Sequence, residues 1–260
     1  MSASTIGRPL GYELSERDFA VVQIVAEHRF LTARQVEGLL FYDHSSPLSG
    51  ARVCRRVLSR LTQQRLLARL DRRVGGVRAG SASYVYALGS KGGRLLAGTR
   101  YRVTEPSSLF LDHTLAVADA RVALEVAARA QLFDLVEVEI EPKSWRRFSG
   151  PGGAPAFVKP DLYVVTGRGE YEDCWFIEID RGTESPTALG RKCRSYDLYW
   201  RSGLEQAEHG TYPLVLWVAP DERRTSRIES IIKRARILNH ELFRLTTAAR
   251  FIETVSGGAE

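Results

Sequence analysis

Residues Lys159 to Asp180 read KPDLYVVTGRGEYEDCWFIEID. Two runs rich in β-branched and aromatic residues flank a Gly-containing turn, which is the pattern of an antiparallel hairpin. With the turn centred near Gly169 and Glu170, positions whose numbers sum to about 339 stand opposite one another, and Asp161 faces Glu178. Alternation along the second strand puts Glu178 and Asp180 on one face and Trp175, Ile177 and Ile179 on the other. Three carboxylates are therefore expected at one end of a sheet. Acids capping a strand in solvent would give the same spacing without a site, so the neighbouring elements decide between the two.

Working outward, LFLDHTLAVADARVALEVAARA reads as a long Ala-rich helix capped by Asp112, followed by a strand, DLVEVEIEPKSW. The Gly/Pro-rich stretch RRFSGPGGAPAF is expected to be a mobile loop. After the hairpin come a basic helix (ALGRKCRSYDLYWRSG), a buried-strand run (YPLVLWVAP), a second basic helix (RRTSRIESIIKRARIL) and a last strand around LFRLTTAARFIE. Helix, three strands, helix, strand, helix, strand is a mixed α/β layer architecture.

The N-terminal part has another character. SERDFAVVQIVAEHRF opens with a capping-box pattern at Ser15 and Asp18, and LTARQVEGLLF repeats it with Thr32 and Gln35. A third helix, SGARVCRRVLSRLTQQ, follows the Pro47 break. On a helical wheel Val53, Val57, Leu58 and Leu61 gather on one side. Arg52, Arg55, Arg56, Ser59, Arg60 and Gln63 form the polar, cationic side. The strand pair LLARLDRR and SYVYAL encloses the loop VGGVRAGSA, with Arg72, Arg73 and Arg78 on it. Three helices and a hairpin with a basic tip are the order of a winged helix-turn-helix, whose third helix enters the major groove.

Charge supports that division. Residues 1–100 hold 16 Lys+Arg and 7 Asp+Glu, a balance of +9, whereas residues 101–260 hold 21 and 24, a balance of −3. A field of one sign on one module attracts polyanions. Arg outnumbers Lys by 32 to 5, which a GC-rich genome explains without any site. The cysteines Cys54, Cys174 and Cys193 lack CxxC spacing, so reduced thiols and no zinc centre are expected. A hydrophobic fraction of 44% and a charged fraction of 26% are those of a soluble globular protein. No apolar run reaches the ~18 residues of a membrane span, and MSASTIGRPLGYELSER lacks the apolar core of a secretory signal. A cytoplasmic protein with no membrane partner is expected.

Clustered carboxylates repel unless a cation sits among them, and hard oxygen ligands suit Mg²⁺ or Mn²⁺. Asp161, Glu178 and Asp180 are thus the candidate metal ligands. The second part of the chain resembles the PD-(D/E)xK nuclease superfamily, with Pro160-Asp161 as the first motif and Glu178-Ile179-Asp180 where the second stands. The whole chain resembles the replication-relaxation family of bacterial plasmids and mobile elements, on the block KPDLYVV…FIEIDRGTES…RKCRSYDLYW and the helix DHTLAVADARVAL. The resemblance implies an α+β chain with a winged helix-turn-helix at 12–100 and a nuclease-like domain at 107–255.

One position departs from the superfamily: the motif Lys is Asp180. Lys192 could reach back from the following helix, Asp180 could serve as an extra metal ligand, or catalysis could be lost. Asp119 stands where some superfamily members place a helical acid, with His113 on the same helix, although a helix histidine is more often structural. A relaxase-like route through Tyr196 or Tyr199 beside Lys192 and Arg194 ranks below these, because aromatics at that spacing usually face the core. Two functions remain open: a metal-dependent DNA-nicking or DNA-cleaving endonuclease acting in plasmid replication or relaxation, and a noncatalytic replication or transcription regulator on a degenerate nuclease fold. Double-stranded DNA is the expected partner in both, with a homodimer and replication or conjugation proteins as further candidates.

Overall fold

The computed structural model describes residues 14–74, 83–98, 105–235, 237 and 239–258. The chain is α+β and divides into two compact units between Val122 and Ala123.

In the first unit, α1 (Glu16–His28) starts where Ser15 Oγ accepts from Asp18 N and the Asp18 carboxylate accepts from Ser15 N, at 3.2 and 3.1 Å. Its Val21, Val22 and Val25 are fully buried. A three-residue strand, β1 (Phe30–Thr32), leads into α2 (Ala33–Leu40), whose Thr32–Gln35 capping box forms as its sequence predicts. Helix α3 (Pro47–Gln63) begins at Pro47, which suits a first helical position because no N–H is required there. Strands β2 (Leu67–Val74) and β3 (Ser83–Leu88) then pair antiparallel, and β1 joins them in the order β1-β3-β2. Helix α4 (Ser90–Ala97) ends at Gly98, left-handed at φ 67°.

Helix α5 (Ser108–Arg129) runs through the boundary between the units. Asp112 lies inside it and does not cap it; the Ser107 hydroxyl accepts from Phe110 N at 3.3 Å instead. Its Ala118 packs in the core of the first unit with Val22, Val36, Leu58, Leu61 and Leu88. A Cβ on Gly38 would stand 2.9 Å from Val122 Cγ1, so glycine lets α2 and α5 approach closely.

The second unit is built on five strands in the order β10-β9-β8-β7-β4: β4 (Asp134–Ile140), β7 (Leu162–Arg168), β8 (Tyr171–Ile179), β9 (Leu214–Ala219) and β10 (Phe243–Thr247). Between β4 and β7 the stretch expected as a mobile loop forms a second hairpin, β5 (Arg146–Ser149) with β6 (Pro155–Val158). Alternation explains it: Phe148 and Val158 turn into the core while Arg147 and Phe157 stay exposed. The β7–β8 register pairs Leu162 with Ile177 and Tyr163 with Phe176, the offset that the turn residues predict, with Gly169 left-handed at φ 58°. Strands β8, β9 and β10 are parallel, connected by α6 (Pro186–Ser202) with α7 (Leu204–His209), and by α8 (Glu222–Arg234). The last strand stops at Thr247, and Phe251–Gly257 is a helix, α9. Strand β4 is outermost, half-exposed, and bulged between Leu135 and Glu137. No described helix is long and apolar enough to cross a membrane.

Candidate functional site

The hairpin β7–β8 delivers its acids to one end of the sheet. Asp161 is fixed from three directions: its N–H donates to Ile177 O at 3.0 Å, its Oδ2 accepts from Ile179 N at 2.7 Å, and buried Ser144 donates to Pro160 O at 2.7 Å just before it. Glu178 is almost fully buried. Its Oε2 accepts from Lys192 Nζ at 2.9 Å, and its Oε1 accepts from the Tyr196 hydroxyl at 2.7 Å. Both donors sit on α6, four residues apart and so on one helical face. Lys192 Nζ also lies 2.7 Å from Glu184 Oε1 and 5.6 Å from the centre of the Trp217 ring.

Burial pushes Glu178 up to about 7, against the pull of Lys192, and the nearby Asp161 carboxylate adds to the rise. Burial works to lower Lys192, but Glu178, Asp161 and Glu184 overcome it and hold the ammonium well above its ordinary value. Lys192 is therefore the fixed charge of this pair, and Glu178 is the group poised to titrate.

Asp180 shares the face of Glu178 but is engaged elsewhere. Its Oδ2 accepts from Arg224 Nε at 2.7 Å and from Gly182 N at 3.0 Å, and its Oδ1 accepts from Arg224 Nη2 at 2.8 Å. Arg224 Nη2 further donates to Glu184 O at 3.0 Å. Hydrogen bonding to Asp180 holds the guanidinium above its ordinary value. The bidentate pair thus fixes the segment between β8 and α6, and with it the Glu184 that bonds Lys192. Among the described residues no three His, Cys, Asp or Glu side chains form a group able to hold a metal.

Lys192 and Glu178 line a cavity of about 300 Å³ together with Lys159, Arg191, Ser195 and Tyr196. Phe157 stands on its wall. Lys159 and Arg191 are exposed. The two acids of the lining, Glu178 and Glu184, are both paired with Lys192, which leaves Lys159 and Arg191 as cations that a phosphate-bearing ligand can meet.

The remaining candidates are distributed as follows. Asp119 lies on the part of α5 within the first unit and accepts from Gln35 Nε2 at 2.7 Å; His113, half-buried, is on the same part. The structure brings Asp161, Glu178 and Lys192 together and directs Asp180 to Arg224. Tyr196 and Tyr199 are core residues, and their hydroxyls donate to Glu178 and Glu205. Burial raises both phenols, most strongly Tyr196, so neither is an activated nucleophile. On α3, Arg52, Arg55, Arg56, Ser59 and Gln63 are exposed along one face, opposite buried Cys54, Val57, Leu58 and Leu61. Arg60 is held by an ion pair to Asp18 of α1. Arg72 and Arg73 fall among the β2 residues whose side chains are not described, and Arg78 lies outside the described residues.

Sequence reasoning missed Glu184, Arg224 and the role of Tyr196 as a partner of Glu178. The i,i+4 spacing of Lys192 and Tyr196 could have suggested the last. Nothing local marks Arg224, which meets an acid 44 residues away in sequence. Among known proteins, the family model described as replication-relaxation matches residues 22–215. No curated protein matches the chain, and no solved structure does.

Proposed function

This chain belongs to the replication-relaxation family, and from that premise we propose that it is a DNA-binding protein of a plasmid or mobile element whose second unit nicks or cleaves DNA with a divalent metal. The observation that carries the reading is the meeting of Asp161, Glu178 and Lys192 beside a cationic cavity.

Among the described residues no group of three ligating side chains forms, and the reading rests on a two-carboxylate site for Mg²⁺ or Mn²⁺, since Mg²⁺ is commonly held by one or two carboxylates with water and substrate phosphate completing its shell. Asp161 and Glu178 would hold it. Asp180 has both oxygens on Arg224, and this reading assigns it to positioning. An ion held by Asp161 and Glu178 would supply Lewis-acid stabilisation of phosphoryl oxygen and a more acidic water.

The chain's own residues do the rest. Lys192 occupies the role of the absent motif Lys: its ammonium stays protonated and meets charge developing on the phosphoryl oxygens. Glu184 gives that ammonium a second anchor at 2.7 Å, so Lys192 would keep a partner if Glu178 held a metal. Asp180 and Arg224 position Glu184, while Lys159 and Arg191 receive flanking phosphates. In the first unit, the order α1-β1-α2-α3-β2-β3 and the exposed Arg face of α3 support a winged helix-turn-helix that docks on duplex DNA.

A second reading rests on one observation. Lys192 Nζ already stands 2.9 Å from Glu178, so a permanent salt link would leave a noncatalytic regulator on a nuclease-like scaffold. Supercoiled plasmid incubated with the protein and Mg²⁺ or Mn²⁺ separates the two. The parent should nick, with Asp161→Ala, Glu178→Ala and Lys192→Met strongly impaired. An inert parent, or equal nicking by all variants, leaves the regulator. Arg55→Ala with Arg56→Ala should weaken duplex binding and flatten its salt dependence.

A further inference from the structure

The outward face of the β5–β6 hairpin carries an exposed aromatic ring together with cationic side chains. Arg147 and Phe157 are directly paired across the two strands, and both are exposed. Phe157 leaves 45% of its surface in solvent. The same face continues at its open end with Lys159, whose Nζ lies 5.5 Å from the Phe157 ring centre and 4.2 Å from that of Trp145. The inward positions do different work, since Phe148 and Val158 are core and Arg146 Cζ lies 4.7 Å from the centre of the Tyr163 ring. Phe157 itself is not part of the buried cluster.

Phe157, Lys159 and Arg191 also line the cavity beside Glu178 and Lys192. An exposed ring next to three cations at a concave site is the arrangement that takes a base on its π-face and a phosphate on its charges. A duplex keeps its base faces inside the stack and cannot offer one to Phe157; an unpaired nucleotide can.

We propose that the β5–β6 hairpin and the adjoining cavity form a single-stranded DNA site, with a base stacked on Phe157 and its phosphates held by Lys159, Arg191 and Arg147. It rests on reading this cavity as a DNA site, and it names the substrate as unpaired DNA, such as the separated strands of an origin or of negatively supercoiled plasmid. The fully paired duplex is left to the first unit.

The test is fluorescence anisotropy of the full chain with labelled oligothymidylate of about 12 nucleotides, within the usual span of such sites, and with a blunt duplex, both in EDTA. Phe157→Ala should weaken oligothymidylate binding about five-fold or more, as loss of one stacked base does. Phe157→Trp should restore it, and duplex affinity should not change in either variant. Lys159→Ala with Arg191→Ala should weaken single-strand binding and its salt dependence. Arg55→Ala with Arg56→Ala should lower duplex affinity alone. Unchanged oligothymidylate affinity in Phe157→Ala, or equal losses for both DNAs, overturns the proposal. Because binding is read without metal, a protein that fails to nick plasmid but shows the Phe157 dependence loses the nuclease reading and keeps this one. A protein that nicks but lacks that dependence does the reverse.

Discussion

Gln35 in the first unit and Asp180 in the second solve the same problem with different chemistry. Both are buried polar side chains that tie together segments remote in sequence. Gln35 accepts from Thr32 N at 2.8 Å and donates to Leu115 O at 2.8 Å and to Asp119 at 2.7 Å, so a neutral amide joins α2 to α5. Asp180 takes a guanidinium fork from α8 and an N–H from Gly182. The pattern extends through each unit. Among the described residues the first unit buries one carboxylate, Asp18, whereas the second buries Asp161, Glu178, Asp180, Asp197 and Glu205. Buried charge costs solvation that neutral amides largely avoid. A fold accepts that cost most readily where charge has a task, and in the second unit Glu178 is the buried carboxylate that lines the cavity.

The sharpest way to break this comparison is to remove one partner of the charged staple. Arg224→Ala should destabilise the second unit by about 3–5 kcal/mol, because Asp180 is left buried and unpaired. All four tryptophans, Trp145, Trp175, Trp200 and Trp217, belong to that unit, so their fluorescence in urea reads it selectively. The paired replacement Asp180→Leu with Arg224→Met should recover most of the loss. A single variant as stable as the parent would remove the contrast.

Acid gives the next largest effect, with opposite signs in the two units. Burial, aided by Arg121, lowers His28 in the first unit to about 4. Its contribution is present above the ordinary value of 6.5 and is lost as pH falls towards 4, about 3 kcal/mol for a shift of this size. Glu178 is raised to about 7, so its contribution is full below the ordinary value of 4.5 and is lost as pH rises through 7. Hydrogen exchange between pH 7.5 and 5 should therefore show α1 opening more readily while β8 becomes better protected. His28→Leu should flatten the first trend and Glu178→Gln the second. Parallel trends in both units would contradict the assignment.

How much of this could be read beforehand depends on the range of the interaction. The capping boxes at Ser15 and Thr32 were legible because each closes within three residues. The β7–β8 register was legible because a turn fixes an offset and alternation propagates it. Strand β1 was not, since three residues between two helices carry no period. Hairpin β5–β6 was hidden by Gly150, Gly152 and Gly153 and by two prolines, which advertise a loop although the flanking residues alternate correctly. At the site, the shared face of Glu178 and Asp180 followed from strand geometry. Their separate partners did not, because Lys192, Glu184 and Arg224 arrive from elements whose packing only the folded chain determines.

Smaller perturbations sharpen the contrast. Gln35→Leu should cost about 1–3 kcal/mol, the penalty of leaving Thr32 N and Leu115 O without their partner, measured as a shift in the urea midpoint by circular dichroism. Its tryptophan signal should move less than that of Arg224→Ala. Arg60→Ala should cost less than Arg224→Ala, since Arg60 is half exposed and Asp18, though buried, keeps Ser15 N as a donor at 3.1 Å, and the same titration measures it. A loss from Arg60→Ala as large as that from Arg224→Ala would erase the distinction between rim and interior charge.

The outermost strand β4 has a consequence for assembly. A free sheet margin invites another chain to continue the ladder, and proteins discourage this with charge and irregular backbone. Asp134 and Glu137 are exposed along β4, and its bulge interrupts the regular spacing of N–H and C=O groups. This margin of the sheet is thereby guarded against strand-by-strand growth into aggregates, which leaves β10 at the opposite margin as the edge open to a further strand.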